Sequence, residues 1–295
     1  MKKAEKEYDT CLGVIGGSGV YQIEGVEVVG RHEISTPWGS PSDKVIEARI
    51  DNRSVFFLPR HGVGHRYTPA EVPYRANIAA MKSLGVTHLL AVSAVGIMQE
   101  QIQPGHMVVP DQIFDRTKDV RPSTFFGDGI VAHLPFADPF DEEMRGLILA
   151  AAQAKTENVH AGGTYICMEG PLFSTRAESE FYRRTLEPAV IGMTAIPEAK
   201  LAREAELCYG MLALATDYDC WHEEEEDVTV EAVVAVLAAN AKLANSIVGE
   251  LARSLPRTSR SPSLEAAKGA FISDLGLLPA KRREELMGIF GRYLG

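Results

Sequence analysis

Apolar residues along this chain fall in two alternating patterns. Short runs rich in β-branched and aliphatic residues predict strands at Leu12–Ile15, Lys44–Ile50, Ser54–Leu58, Val86–Ser93, His106–Val109, Thr164–Met168, Ala189–Gly192 and Leu207–Ala215. Several of these runs are apolar at every position, as expected of strands covered on both faces. Between them lie segments with helical spacing: Pro73–Leu84, Asp141–Lys155, Ser174–Thr185, Pro197–Glu206 and Thr229–Leu255. The first of these has proline at its start and Gly85 just past its end, the asymmetry a helix favours. This alternation predicts an α/β fold: a single domain, residues 1–255, with a central mixed β-sheet flanked by helices on both sides. The pattern changes after Leu255. Pro256–Pro262 is rich in Ser, Arg and Pro and reads as a linker, and Ser263–Gly295 carries two short amphipathic helix patterns split near Gly276–Pro279. Residues 256–295 are therefore expected to form a helical C-terminal extension.

Composition narrows the function. The 295 residues are 45% hydrophobic and 24% charged, with a formal net charge of -10. An acidic chain is poorly suited to nucleic acid or an anionic membrane surface, yet local donors can still hold a small anion. No run reaches the roughly 20 apolar residues that span a bilayer, and Met1–Thr10 lacks the apolar core of a secretion signal. A cytoplasmic location is expected. Cys11, Cys167, Cys208 and Cys220 are scattered without a C-x-x-C pair, so buried free thiols are expected rather than a metal site. The acidic run Glu223–Asp227 precedes a helix pattern and reads as a solvated entry suited to the helix dipole.

The candidate chemistry gathers where predicted strands end, which is where ligands of open α/β sheets collect. Gly16-Gly17-Ser18-Gly19 follows the first strand. Its glycines and hydroxyl suit an anion, although a plain turn explains them equally, and both the dinucleotide spacing and the Walker lysine are missing. Arg60-His61-Gly62 follows the third strand, placing a guanidinium where it could grip phosphate with two prongs. Ser93-Ala94-Val95-Gly96 closes the fourth. Glu169-Gly170-Pro171 leads through Phe173 into a helix. Gly192-Met193-Thr194 and Thr216-Asp217-Tyr218-Asp219 close two more apolar strands. Two carboxylates at the mouth of a buried strand suit proton donation, because burial raises a carboxyl pKa. Metal ligation is the rival reading, and no histidine stands at matching spacing.

Taken together, these strings resemble the methylthioadenosine phosphorylases, a branch of the trimeric purine nucleoside phosphorylase family. Further matching strings are Gln103-Pro104-Gly105, Asp111-Gln112 with Asp115-Arg116-Thr117, Ser174 to Ser179, and Cys220-Trp221, so that the resemblance runs from Leu12 to Leu255. It implies phosphate-dependent cleavage of a 6-aminopurine nucleoside, with inorganic phosphate as co-substrate and no cofactor or metal. It implies a phosphate site of Ser18, Arg60, His61, Ser93, Ala94 and Thr194, a ribose contact at Met193 and a base-stacking ring at Phe173. Asp217 and Asp219 would read the base and carry the acid chemistry. Val230, Val233 and Val234 would wall the 5'-methylthio group. His133 would reach in from a neighbouring subunit of a homotrimer or a hexamer built of two trimers. Leu172 departs from the pattern, since relatives commonly carry arginine there. The rival readings are a broader purine nucleoside phosphorylase acting on adenosine, 5'-deoxyadenosine or 6-oxopurine nucleosides, a hydrolytic nucleosidase, and a non-catalytic nucleoside-binding scaffold.

Overall fold

The computed structural model describes residues 6–17, 26–222 and 230–295, with the backbone alone at 230–235 and 237–239. Its elements in chain order are β1 (Tyr8–Asp9), β2 (Leu12–Gly16), β3 (Glu27–His32), β4 (Val45–Ile50), β5 (Arg53–Pro59), α1 (Tyr74–Ser83), β6 (His88–Ile97), β7 (Met107–Val109), β8 (Gln112–Arg116), α2 (Glu142–Gln153), β9 (Val159–Ala161), β10 (Thr164–Met168), α3 (Arg176–Leu186), β11 (Val190–Gly192), α4 (Ala195–Glu204), β12 (Cys208–Tyr218), α5 (Val230–Ser254), β13 (Thr258–Ser259) and α6 (Ala280–Leu294). All eight predicted strands and all five predicted helices are present. The acidic run 223–227 lies outside the described residues.

Among the described residues, eleven strands form one mixed sheet in the order β3-β4-β5-β2-β6-β11-β10-β8, with β12 on the other side of β6 and β7 and β9 beyond it. Alternate residues of each strand feed opposite faces. Ile15, Leu58, Leu89 and Ala91 pack under α1, α4 and α6, while Val14, Phe57, Leu90 and Val92 pack under α2 and α5. The helices thus cover both faces, as the fully apolar runs required. The strands that the sequence hid are peripheral. β3 and β8 are the two ends of the main path and mostly exposed. A strand supported on one side needs no continuous apolar run, so its pattern is weak.

β6 gives the sheet its functional shape. On one side it runs parallel to β12 from His88 to Ile97. On the other it pairs with β2 only as far as Ala91, and with β11 only from Gly96. Val92 to Val95 therefore face a gap in the sheet between the end of β2 and the end of β11.

The C-terminal residues are closely seated on the domain. Within 256–262, read as a linker, β13 pairs with β1. The buried Asp141 carboxylate then accepts from the Ser261 hydroxyl and, at 2.7 Å, from that of Ser263. Of the two helix patterns expected after Ser263, only α6 forms; the first shortens to 3-10 turns at Pro262–Glu265 and Leu275–Leu277. Gly269 takes a positive φ of 74°, which an α-helix cannot carry through. α6 buries Leu286, Ile289, Phe290 and Leu294 against its own chain, with Phe290 stacked on Phe126 at 5.1 Å. All four cysteines are free; Cys167 and Cys208 are buried, whereas Cys11 and Cys220 are half-buried.

Candidate active site

Arg60 stands at the gap, one residue past β5. Its backbone N–H donates to Gly16 O at 2.8 Å, tying the end of β5 to the end of β2. Its side chain turns inward and is 1% exposed. Nη2 reaches Ile15 O at 3.2 Å and Nη1 reaches Val92 O at 3.0 Å, the carbonyl that β2 leaves unpaired on β6. Nε and Nη2 meet the two carboxylate oxygens of Glu198 on α4 at 2.7 and 3.0 Å. Burial alone would weaken the guanidinium's charge, but Glu198 beside it raises its pKa above the ordinary arginine value. The two-pronged grip expected for phosphate is thus taken by a carboxylate of the protein itself.

Of the groups expected to share an anion with Arg60, Ser93, Ala94 and Thr194 lie at the gap. Ser93 and Ala94 occupy it. The Ser93 hydroxyl lies 3.2 Å from that of Thr194, which stands at the N-terminus of α4 without bonding to a backbone N–H of that helix. Ile196 breaks the helical geometry just beyond Thr194, so the regular part of α4, whose N-terminus would favour an anion, starts further on. His61 places Nδ1 2.9 Å from Tyr67 O. A carbonyl only accepts, so Nδ1 carries the hydrogen and a neutral ring offers Nε2 as an acceptor. Burial, reinforced by Arg60, pushes this imidazole down to about 4, so it is neutral at physiological pH. Ser18 lies outside the described residues.

The second part of the site is one strand away, at the end of β12. A bulge between Ala215 and Asp217 shifts the register, setting Asp217 opposite Gly96 and Tyr218 opposite Ile97. Asp217 thus lies three residues beyond Ser93 along β6, about 10 Å at the rise of a strand. The Thr216 hydroxyl donates to Asp217 Oδ2 at 2.6 Å. A Cβ on Gly96 would press on Ile191 Cγ2 at 3.0 Å and would meet Asp217 Oδ1 and Asp219 Cβ at ordinary contact, 3.6 Å each. Asp219 is buried, and its Oδ2 has no hydrogen-bond partner among the described residues. Burial raises its carboxyl pKa against the pull of the Ser179 hydroxyl, the Cys220 backbone N–H and the Ser174 hydroxyl.

A turn over residues 169–173 flanks these acids. Arg121, which the sequence reading passed over, fastens it. Its guanidinium donates to Glu169 Oε1 at 2.7 Å and Glu169 O at 2.5 Å, and also to Met193 O and Ile196 O, both at 2.7 Å. Met193 and the Gly170 turn are thereby held together; a Cβ on Gly170 would lie 2.5 Å from Met193 Sδ. Thr175 and Glu178 form a reciprocal capping box that starts α3 just beyond. Phe173, between turn and helix, is 49% exposed, and Leu172 is 83% exposed.

The remaining candidates are placed less directly. Asn240 on α5 donates to Ala215 O at 3.2 Å, fixing that helix beside the end of β12. Val230, Val233 and Val234 lie in the turns before it, and their side chains are outside the described residues. His133 is exposed on a loop anchored to the C-terminal segment, its N–H donating to Ala270 O at 3.0 Å and Ala132 bridging to Phe271. Glu198, Tyr209 and Arg121 are the structural residues the sequence reading missed. For Glu198 a signal existed: it interrupts the apolar face Ala195, Ile196, Ala199, Leu201 and Ala202, and a carboxylate on a buried face requires a partner. Among the described residues no group of three or more His, Cys, Asp or Glu could hold a metal ion, and no helix is long and apolar enough to cross a membrane.

Comparison with known proteins gives concordant results. The phosphorylase superfamily matches residues 12–253. The S-methyl-5'-thioadenosine phosphorylase of Geobacter sulfurreducens is 53% identical over 97% of this chain and 100% of its own length. That of Chloroflexus aurantiacus is 50% identical over 97% and 99%. Among solved structures, a methylthioadenosine phosphorylase sourced from an antarctic soil metagenomic library matches with a TM-score of 0.88 at 42% identity, covering 96% of this chain and 99% of the other. A mutant adenosine/methylthioadenosine phosphorylase from Schistosoma mansoni, in complex with methylthioadenosine, matches with a TM-score of 0.81 at 34% identity, over 88% and 96%.

Proposed function

Since this chain belongs to the phosphorylase superfamily, we infer that its two-part site joins an anion to a nucleoside. The protein is a pentosyltransferase that cleaves S-methyl-5'-thioadenosine with inorganic phosphate, yielding adenine and 5-methylthioribose 1-phosphate. The observation that carries this reading is the spacing along β6. Neutral donors gather in the sheet gap at Ser93 and Thr194, and two carboxylates stand about 10 Å further on, opposite and beyond Gly96.

Cleavage leaves positive charge on the sugar and negative charge on the purine, and a catalyst must favour that separation over the neutral substrate. In our assignment Ser18, Arg60, His61, Ser93, Ala94 and Thr194 hold phosphate below the sugar. One phosphate oxygen attacks the anomeric carbon as the bond to N9 breaks, and the bonding pair leaves with the base. Much of the gain is positioning. His61, neutral and with Nδ1–H committed to Tyr67, accepts from a protonated phosphate oxygen. Asp217 protonates or hydrogen-bonds N7 of the leaving purine. Asp219 accepts from the 6-amino group or supports Asp217; its buried Oδ2, without a partner among the described residues, supports a waiting donor. Met193 contacts the ribose, Phe173 stacks on the base, and Val230, Val233 and Val234 cover the methylthio group.

We further propose a cytoplasmic homotrimer or pair of trimers in which His133 serves a neighbour's site. The exposure of His133, and of Leu172, Phe173 and Phe181 around the start of α3, supports a subunit contact there. Phosphate is a co-substrate, and the reading calls for no cofactor.

The testing experiment follows free base released from S-methyl-5'-thioadenosine, adenosine and inosine, with and without inorganic phosphate. Release is expected only with phosphate and fastest from the methylthio substrate; release independent of phosphate contradicts phosphorolysis. The acid pair makes a second prediction. Asp219→Asn turns an acceptor toward the 6-position into a possible donor. The ratio of kcat/KM for inosine to that for S-methyl-5'-thioadenosine should rise about tenfold or more, the scale of one mismatched buried hydrogen bond. An unchanged ratio removes Asp219 as a reader of the base.

A further inference from the structure

Arg60 has five N–H donors. Four are engaged within the protein: two on Glu198, one on Ile15 O and one on Val92 O. One Nη1 hydrogen therefore remains for a ligand among the described residues. Glu198 is as buried as Arg60, at 1% exposure, and is itself held by the buried Tyr209 hydroxyl, which donates to Oε1 at 3.0 Å. Glu198 lies four residues after Thr194, just past the non-helical Ile196 of α4, and the Thr194 hydroxyl lies against that of Ser93.

We propose that Glu198 is a positioning residue for the phosphate end of the reaction, with Tyr209 as its support. Acting through Arg60, the two hold the ends of β2 and β5, the middle of β6 and the early part of α4 in one register, and they fix the direction of the last guanidinium N–H. The inference rests on the phosphorylase reading and adds a cause to it. An unpaired arginine would follow a phosphate as it moved and grip it with two prongs. This one cannot rotate without breaking a bidentate pair. The pair is also electrically balanced at contact and His61 is neutral, so phosphate is held by aimed hydrogen bonds more than by net charge. Aimed donors suit a nucleophile that must stay in line with the anomeric carbon.

Two variants of the full-length protein test this. Glu198→Gln keeps the shape but sets an amide N–H against an N–H of Arg60. Tyr209→Phe leaves the ion pair whole and removes only its support. Initial rates are measured while phosphate and S-methyl-5'-thioadenosine are varied in turn. The KM for phosphate should rise about tenfold or more in Glu198→Gln and about threefold in Tyr209→Phe, the scales of a charged and a neutral hydrogen bond. The KM for the nucleoside should stay within about twofold in both, because the acids on β12 are untouched. Where Glu198→Gln fails to fold, Tyr209→Phe decides. A parallel rise in both constants overturns the proposal, as does a fall in kcat with both constants unchanged, or no effect at all. Base release by the wild-type protein without phosphate would instead overturn the underlying phosphorylase reading.

Discussion

Asp217→Ala is expected to lower the turnover of S-methyl-5'-thioadenosine about 10²–10⁴-fold, the usual contribution of a positioned general acid, while phosphate binding persists. The separation of effects follows from the sheet. Phosphate is assigned to the gap beside Ser93 and Thr194, whereas Asp217 sits past the bulge of β12, opposite Gly96. The Thr216 hydroxyl fixes one of its oxygens at 2.6 Å, so removing the carboxylate changes the base end without disturbing Arg60 or Glu198. Two measurements together check this: steady-state kcat, and the stabilisation of the folded variant by added phosphate. Turnover at the wild-type rate would remove Asp217 as the acid. Loss of phosphate stabilisation would show that the two ends are not separable.

Arg60→Met should destabilise the fold by about 3–5 kcal/mol, because the buried Glu198 then lacks its counter-charge. The paired variant, Arg60→Met with Glu198→Met, should recover most of that loss, since an apolar replacement of both partners of a buried pair is often neutral. It should not recover phosphate-dependent turnover. Urea denaturation of the two proteins, read beside their activity, distinguishes the roles. Equal stability of the single and double variants would mean that Glu198 is not left uncompensated.

The parts of this molecule legible in the sequence share one physical property: burial on both sides. β2, β5, β6 and β12 announce themselves because a central strand must be apolar on both faces, and the motifs at their ends follow from where such strands stop. β3 and β8 escape because an edge strand obeys no such rule. The pairing along β6 was also hidden, for a different reason. Nothing in the local pattern of Val86–Ser93 tells that β2 hands over to β11 partway along, because strand exchange depends on residues roughly 75 to 100 positions away in the chain. Arg60 was read as standing just past a strand end, as it does, with a fork free for phosphate, whereas the fork meets Glu198. Its partner Glu198 lies on α4 and went unnoticed within the predicted helix Pro197–Glu206, although the apolar residues around it are buried. Arg121 was invisible on its own, since it stands in a loop and its partners are mostly backbone carbonyls. The tail was half legible: α6 shows a clear apolar face, but the serines of 256–263 gave no sign that a buried aspartate would collect them.

The break in pairing along β6 also bears on how such a protein can change. The end we assign to the anion is made of the sheet's own strands, cross-linked by a buried ion pair, so altering it disturbs the core. The end we assign to the nucleoside is bordered by a turn and an exposed aromatic ring, neither of which closes the sheet. Substrate range can therefore drift at one end while the reaction type stays constant at the other, a division of evolutionary freedom written into where two strands stop.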